Sequence, residues 1–199
     1  MGASIFEPFR LVGGTSLSLQ IGHRMSVDID LFTDAAYGTI DFEKIETFLT
    51  NNFEEVRHSG EGLPSFGKSY FIVANKSIPN SAVKLDVFYS PEQFVNEPKI
   101  EGNIRMATIE DIIAMKIDVV QRIGRKKDFW DLHALLGNYT ITEMIALHEL
   151  MYEWTHDRNL ILDNFLNFSS ADEDLDPICL RGNEWQFVKE DLMQAFSTM

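Results

Sequence analysis

The sequence predicts an α/β front half of roughly 100 residues followed by a helical back half. Three observations carry this. Apolar runs with strand texture, punctuated by Gly- and Pro-containing turns, fill the chain up to residue 90. One of them, "SAVKLDVFY" (81–89), alternates cleanly, with Val83, Leu85, Val87 and Tyr89 on one face and Lys84, Asp86 and Phe88 on the other. After "SPEQF" (90–94) strand patterns stop, and from Thr108 onward apolar residues recur at helical spacing. A chain of 199 residues suits one domain, or one domain with a helical extension, divided here at 1–106 and 107–199.

In order, "FRLV" (9–12) reads as a short buried strand, and the glycines after it open a helix running to about Ile21. "VDIDLF" (27–32) is the second strand, with Asp28 and Asp30 in its middle. Residues 41–52 look helical: Asp41 can cap, and Ile45, Phe48, Leu49 and Asn52 follow a 3.6-residue period. "EEVRHS" (54–59) and "KSYFIVA" (68–74) read as strands joined by "GEGLPSFG" (60–67). In the back half, 108–123 is a helix with Thr108 as N-cap, and "KKDFWDLHALL" (126–136) is another, stopped by Gly137-Asn138. Helical texture continues over 141–156, 159–168 and 182–196, with the acidic "SSADEDLDP" (169–177) as a solvated loop.

Composition bounds the chemistry. A hydrophobic share of 45%, with 15 Phe, is ample for a core. The single cysteine, Cys179, excludes an intrachain disulfide framework and fits a reducing cytoplasm. No apolar stretch reaches the ~18 residues a membrane span needs, and residues 1–12 lack the pattern of a signal peptide. A net charge of −14 offers nucleic acid no broad electrostatic footprint. The local exception is "QRIGRKK", where Arg122, Arg125, Lys126 and Lys127 make either a basic turn or a phosphate site. Lys99 and Arg105 also keep an RNA partner open.

Side chains two apart on a strand share a face, so Asp28 and Asp30 repel unless water or a cation separates them. Before them, Gly13-Gly14 between a strand and a helix lets backbone amides approach an anion, and Thr15 adds a hydroxyl. Phosphates would sit between that turn and the aspartates, bridged by a divalent metal. Asp86, on the polar face of an otherwise apolar strand, is the candidate third ligand; the alternative is an edge-strand Asp facing water.

With these residues in place, the sequence resembles the polymerase-beta-type nucleotidyltransferase superfamily, whose pattern is "GG…DxD…D". Within it, "LVGGTSLSLQIGHRMSVDIDLF" looks closest to the AbiEii/AbiGii toxin-type nucleotidyltransferases, and the likeness continues through "VKLDVF", "TIEDIIAMKIDVVQRIGRKKDFWDLHALL" and "NEWQFVKEDL". The resemblance implies a nucleotidyltransferase-type mixed sheet with flanking helices, and a helical region that completes the active-site cleft. It implies magnesium, as two ions, on Asp28, Asp30 and Asp86, and triphosphate held by Gly13, Gly14, Arg24 and Ser26. It also brings in Lys116, Asp128 and Asp131. The implied reaction moves NMP from an NTP to an RNA, such as a tRNA 3′ end, or to a protein, with a cognate antitoxin as candidate partner. Asp86 is the candidate to take the acceptor's proton. Eight residues precede the first strand, where related proteins usually begin with a further helical segment; that element is missing, supplied by another chain, or unnecessary.

Lys116 has independent support. It lies within the apolar stripe of Ile109, Ile112, Ile113, Val119, Val120 and Ile123, so it needs a carboxylate or phosphate partner unless it snorkels to water. A Lys116→Met change would then keep the fold and weaken NTP binding. Asp128 and Asp131, three apart on one helix, could pair with it, orient it or serve as base, or merely favour the helix N-terminus. Two other functions stay open: a nucleotide-binding interaction protein without transferase activity, and a sugar-nucleotide glycosyltransferase. "HELMY" (148–152) lacks the second zincin His, His133 is a surface or satisfied core residue, and Trp130, Trp154 and Trp185 read as packing anchors.

Overall fold

The computed structural model describes residues 1–58, 66–79 and 81–199. After a short 3-10 turn (Ser4–Phe6) come β1 (Arg10–Val12), α1 (Gly13–Ile21), β2 (Ile29–Thr33) and α2 (Phe42–Asn52). Then follow β3 (Glu55–His58), β4 (Gly67–Val73), β5 (Ala82–Tyr89), β6 (Lys99–Glu101) and β7 (Ile104–Met106). The back half carries α3 (Ile109–Gln121), α4 (Lys126–His133), α5 (Ile141–Met151), α6 (Arg158–Phe165), α7 (Ser169–Asp172) and α8 (Trp185–Ser197). Most of the "GEGLPSFG" connection lies outside the described residues. Among the described residues, no helix is long and apolar enough to cross a membrane.

The strands form one mixed sheet in the order β3-β4-β5-β2-β1-β7-β6. The β2–β5 and β1–β7 pairs are parallel and the other pairs are antiparallel. Period-2 alternation sorts the side chains. Leu11, Leu31, Leu85 and Val87 pack on one face with Ile45 and Leu49 of α2. Val12 and Phe32 face the other way, into a core built from α1 and the helical half. Asp30 and Asp86 lie on that second face, because each is one residue removed from a residue of the first.

Helix boundaries follow local chemistry. The Asp41 and Thr108 side chains accept from the backbone N–H groups of Lys44 and Asp111, as their N-cap positions predict. Gly22, with φ 59°, ends α1 in the left-handed region.

Four expectations need correction. Asp28 precedes β2 instead of lying within it, although it lines the same cleft as Asp30. Strand patterns do not stop after residue 94: β6 and β7 form a hairpin in which Glu101 pairs with Ile104 around Gly102-Asn103. That Gly-Asn dipeptide is a two-residue hairpin signal, and the strands beside it are too short to show alternation. α5 ends at Met151, which leaves Trp154 in a turn and 85% exposed rather than anchoring a core. The acidic loop opens with one helical turn, Ser169–Asp172. Trp130 and Trp185 do pack, stacked at 6.2 Å.

Candidate active site

The parallel β2–β5 register places Asp30 beside Asp86, and the antiparallel β1–β2 register places Val12, the residue before the glycines, beside Asp30. A cleft of about 350 Å³ opens there, between the sheet and α3. Gly13, Gly14, Arg24, Ser26, Asp28, Asp30, Asp86, Lys116 and Asp128 all line it. The structure therefore gathers most of the sequence-derived candidates. Thr15 and Asp131 stand behind the wall. The Thr15 hydroxyl lies 2.8 Å from that of Ser26 and donates to the Asp28 carbonyl, which ties down the segment before β2.

Both glycines are required by close approach. Gly13 has φ 66°, and a Cβ on it would stand 2.8 Å from Asp30 Oδ2. A Cβ on Gly14 would stand 2.1 Å from Arg24 Nη2. The first turn of α1 has no side-chain cap, and its first two residues, Gly13 and Gly14, line the cleft with their N–H groups free of intrahelical partners.

Burial, then the neighbouring Asp86 and Asp28 carboxylates, push the Asp30 carboxyl above its ordinary range. Lys84 answers part of that charge. Its Nζ lies 2.6 Å from Asp86 Oδ2, and the bond to Asp86 raises the ammonium pKa, with Asp30 and Asp28 adding to the effect. Lys127 Nζ lies 3.9 Å from Asp28 Oδ2. Burial and the nearby Arg125 and Lys116 lower its pKa, so it is a cation short of counter-charge at the cleft wall.

Among the described residues, no three or more His, Cys, Asp or Glu side chains are gathered closely enough to hold a metal ion. Oxygen donors of the right type are nevertheless adjacent: Asp86 Oδ1 is buried with no hydrogen-bond partner among the described residues, and Asp30 lies next to it in register. Hard carboxylate oxygens suit magnesium. The two lysines hold Asp86 and Asp28 instead.

Lys116 does not snorkel. Its Nζ lies 2.6 Å from Asp128 Oδ1 and 2.7 Å from Asp131 Oδ2, with the side chain 6% exposed. Burial opposes its charge, but Asp131 and Asp128 outweigh that and raise its pKa. Asp131 also receives Arg24 Nε at 2.6 Å and Nη2 at 2.9 Å, a bidentate fork, and lies 2.7 Å from His23 Nε2. Burial alone would raise the Asp131 carboxyl; Lys116, His23 and Arg24 hold it far below the usual range. Asp128 closes the network by accepting Arg125 Nε at 2.9 Å. Arg24 thus lines the cleft with its guanidinium committed to Asp131.

Sequence reasoning missed His23 and Lys84. His23 carries no motif, but Lys84 sits two residues before Asp86 on the polar face of β5, a position the alternation exposes. The basic run divides: Arg122, Arg125 and Lys127 line the cleft, whereas Lys126 turns away to Asp176, 2.8 Å distant.

Gly14→Ala tests the close approach. Alanine in a helix ordinarily stabilises by up to about 1 kcal/mol over glycine. Here the opposite sign is expected, a loss of roughly 2–3 kcal/mol in urea denaturation, because the new methyl displaces a buried, paired guanidinium.

A mixed sheet with neighbouring carboxylates beneath a glycine-opened helix agrees with the family that the chain matches, one of nucleotidyltransferases. A family model described as nucleotidyl transferase AbiEii toxin, type IV toxin–antitoxin system, matches residues 3–198. The chain belongs to this AbiEii family. An uncharacterized protein of Aquifex aeolicus (strain VF5) is 25% identical over 194 residues, 94% of this chain and 85% of the relative. Solved structures that share the fold include the following two. JHP933 from Helicobacter pylori has a TM-score of 0.61 at 19% identity, covering 98% of this chain and 84% of that one. MenT4, a nucleotidyltransferase toxin from Mycobacterium tuberculosis, has a TM-score of 0.60 at 13% identity, covering 95% of this chain and 74% of that one.

Proposed function

We propose that the protein is the toxin of a cytoplasmic toxin–antitoxin pair and transfers NMP from an NTP to an RNA end, with the tRNA 3′ end as its candidate acceptor. The observation that carries this is the Asp30–Asp86 pair in register, with Asp28 beside it, facing the open N-terminus of α1. Asp28, Asp30 and Asp86 would hold two magnesium ions. When bound, such ions neutralise triphosphate charge and stabilise the charge that builds up during in-line displacement.

The remaining work falls to the chain itself. N–H groups at Gly13 and Gly14 bind phosphate oxygens, assisted by Ser26 and by the under-compensated Lys127. The acceptor hydroxyl attacks the α-phosphorus, the bond to the β-phosphate breaks, and pyrophosphate leaves. Asp86 takes the hydroxyl proton. Lys116, Asp128 and Asp131 act as positioning residues that fix Arg24 over Gly14. The acceptor approaches through a second opening of about 550 Å³, which shares Ser26, Asp28, Arg125 and Lys127 with the cleft. Exposed Met25, Val27, Leu175 and Ile178 offer bases an apolar wall there.

The test is incubation with each labelled NTP, magnesium, total RNA and lysate protein. Label in RNA with release of pyrophosphate is expected. Label in a protein band instead would reassign the acceptor. Magnesium-dependent NTP binding with no transfer would leave an interaction protein and end the transferase reading.

A further inference from the structure

The cleft is chemically lopsided. The end described above holds carboxylates, glycines and cations. The apolar lining is Phe32, Pro91, Met115, Val119 and Tyr152, and Val119 lies about one turn further along α3 than Lys116, toward Arg122. The two ends are continuous: Phe32 lies two residues beyond Asp30 on the same face of β2, and Met115 and Val119 bracket Lys116 on α3. A nucleoside triphosphate has the same polarity, charged at one end and flat and apolar-faced at the other.

The cation of the apolar end is Arg122. Its guanidinium donates through Nη2 to Asp118 Oδ2, and the side chain is 63% exposed. Asp118 is itself buried, and its Oδ1 has no hydrogen-bond partner among the described residues. His148 Nε2, equally buried and unpartnered, lies 3.6 Å from that oxygen, and His148 Nδ1 lies 2.8 Å from His156 Nδ1. A buried acid facing a buried histidine costs stability. Arg122 pairs with this acid, and both line the cleft, so the pair holds the guanidinium at its rim.

We infer that the apolar end is the nucleobase subsite and that Arg122 reads the base there, selecting against adenine; the inference rests on the nucleotidyltransferase reading above. A guanidinium has donors and no acceptor. Guanine, cytosine and uracil each carry a carbonyl oxygen for it. Adenine has no carbonyl: it offers only ring nitrogens, and N7 stands beside an exocyclic amine whose N–H groups face the second donor of the guanidinium fork.

The test measures dissociation constants by calorimetry, with magnesium, for non-hydrolysable analogues of ATP, GTP, CTP and UTP and for inorganic tripolyphosphate. The wild type is expected to bind the adenine analogue about tenfold more weakly than at least one of the others, the discrimination of one good guanidinium contact. In Arg122→Ala the four constants should converge while tripolyphosphate binding stays unchanged. Arg122→Lys keeps a cation beside Asp118 and a donor at the rim, so it guards against misfolding and should retain part of the discrimination. An unaltered base ranking in Arg122→Ala would overturn the inference. So would a tripolyphosphate constant that weakens as much as the NTP constants, because Arg122 would then be a phosphate ligand. Failure of the wild type to bind any NTP analogue or tripolyphosphate would instead strike the proposed function itself.

Discussion

Lys116→Met should destabilise the protein by about 3–5 kcal/mol, since it strips one partner from a buried charge network. This replaces the expectation, drawn from the sequence, that the fold would survive intact. That expectation treated Lys116 as a free cation facing ligand, whereas its ammonium is closed in by Asp128 and Asp131. Against a typical total of about 5–15 kcal/mol, the loss is large. For a chain of this size it corresponds to a fall in melting temperature of roughly 10 °C. The pH dependence has a definite sign. The depressed Asp128 and Asp131 contribute stability above their unfolded pKa, near 4, that is lost as pH falls through the folded values. The raised Lys116 contributes fully below its unfolded pKa, near 10.4, and its share is lost only as pH rises through the folded value. The difference between wild type and variant should therefore be widest between about pH 5 and 9 and narrow in acid. Urea titrations at pH 7 and stepwise into acid, to about pH 1.5, measure it, and a loss that stays equal over that whole range would mean the network is not electrostatic.

Asp30→Asn should do two things of opposite sign. Without metal or nucleotide the variant should melt at or above the wild-type temperature, because ionised Asp30 is disfavoured by burial and by Asp86 and Asp28. The sign is that of a raised acid: the wild type gains stability as pH falls through the Asp30 pKa, and the variant has no such gain. With magnesium and NTP at about 100 times Kd, the wild type should gain about 2.7 kcal/mol, and the variant almost none. Transfer should fall by about 10³-fold, the loss of several kcal/mol of charge stabilisation. Equal ligand-induced shifts in the two proteins would remove Asp30 from the metal site.

Much of this site was legible in the sequence. Gly13-Gly14, Asp30, Asp86 and Lys116 are marked by residue types that their local patterns would otherwise reject: glycines opening a helix, carboxylates and an ammonium among apolar neighbours. Period-2 and 3.6-residue spacing placed β5, α2 and α3 nearly to the residue. What escaped depends on tertiary pairing. Nothing local shows that Arg24 and His23 spend their nitrogens on Asp131, 107 and 108 positions away. Asp28 was misplaced because β2 begins one residue after it; the Thr15 bond to its carbonyl, which holds that segment, is invisible in a linear pattern. β6 was too short to show a period at all.

The Arg24–Asp131 fork has a further consequence, for the time at which the enzyme comes into being. Ribosomes deliver Arg24 first, and the carboxylate that fixes it follows 107 residues later, after every strand has been made. At about 5–20 residues per second that gap lasts several seconds. Throughout it the nascent chain has its glycine turn but no carboxylate at position 131 to anchor the guanidinium over Gly14. Completion of the cleft therefore waits on the helical half of the chain, whatever the order in which the strands pair.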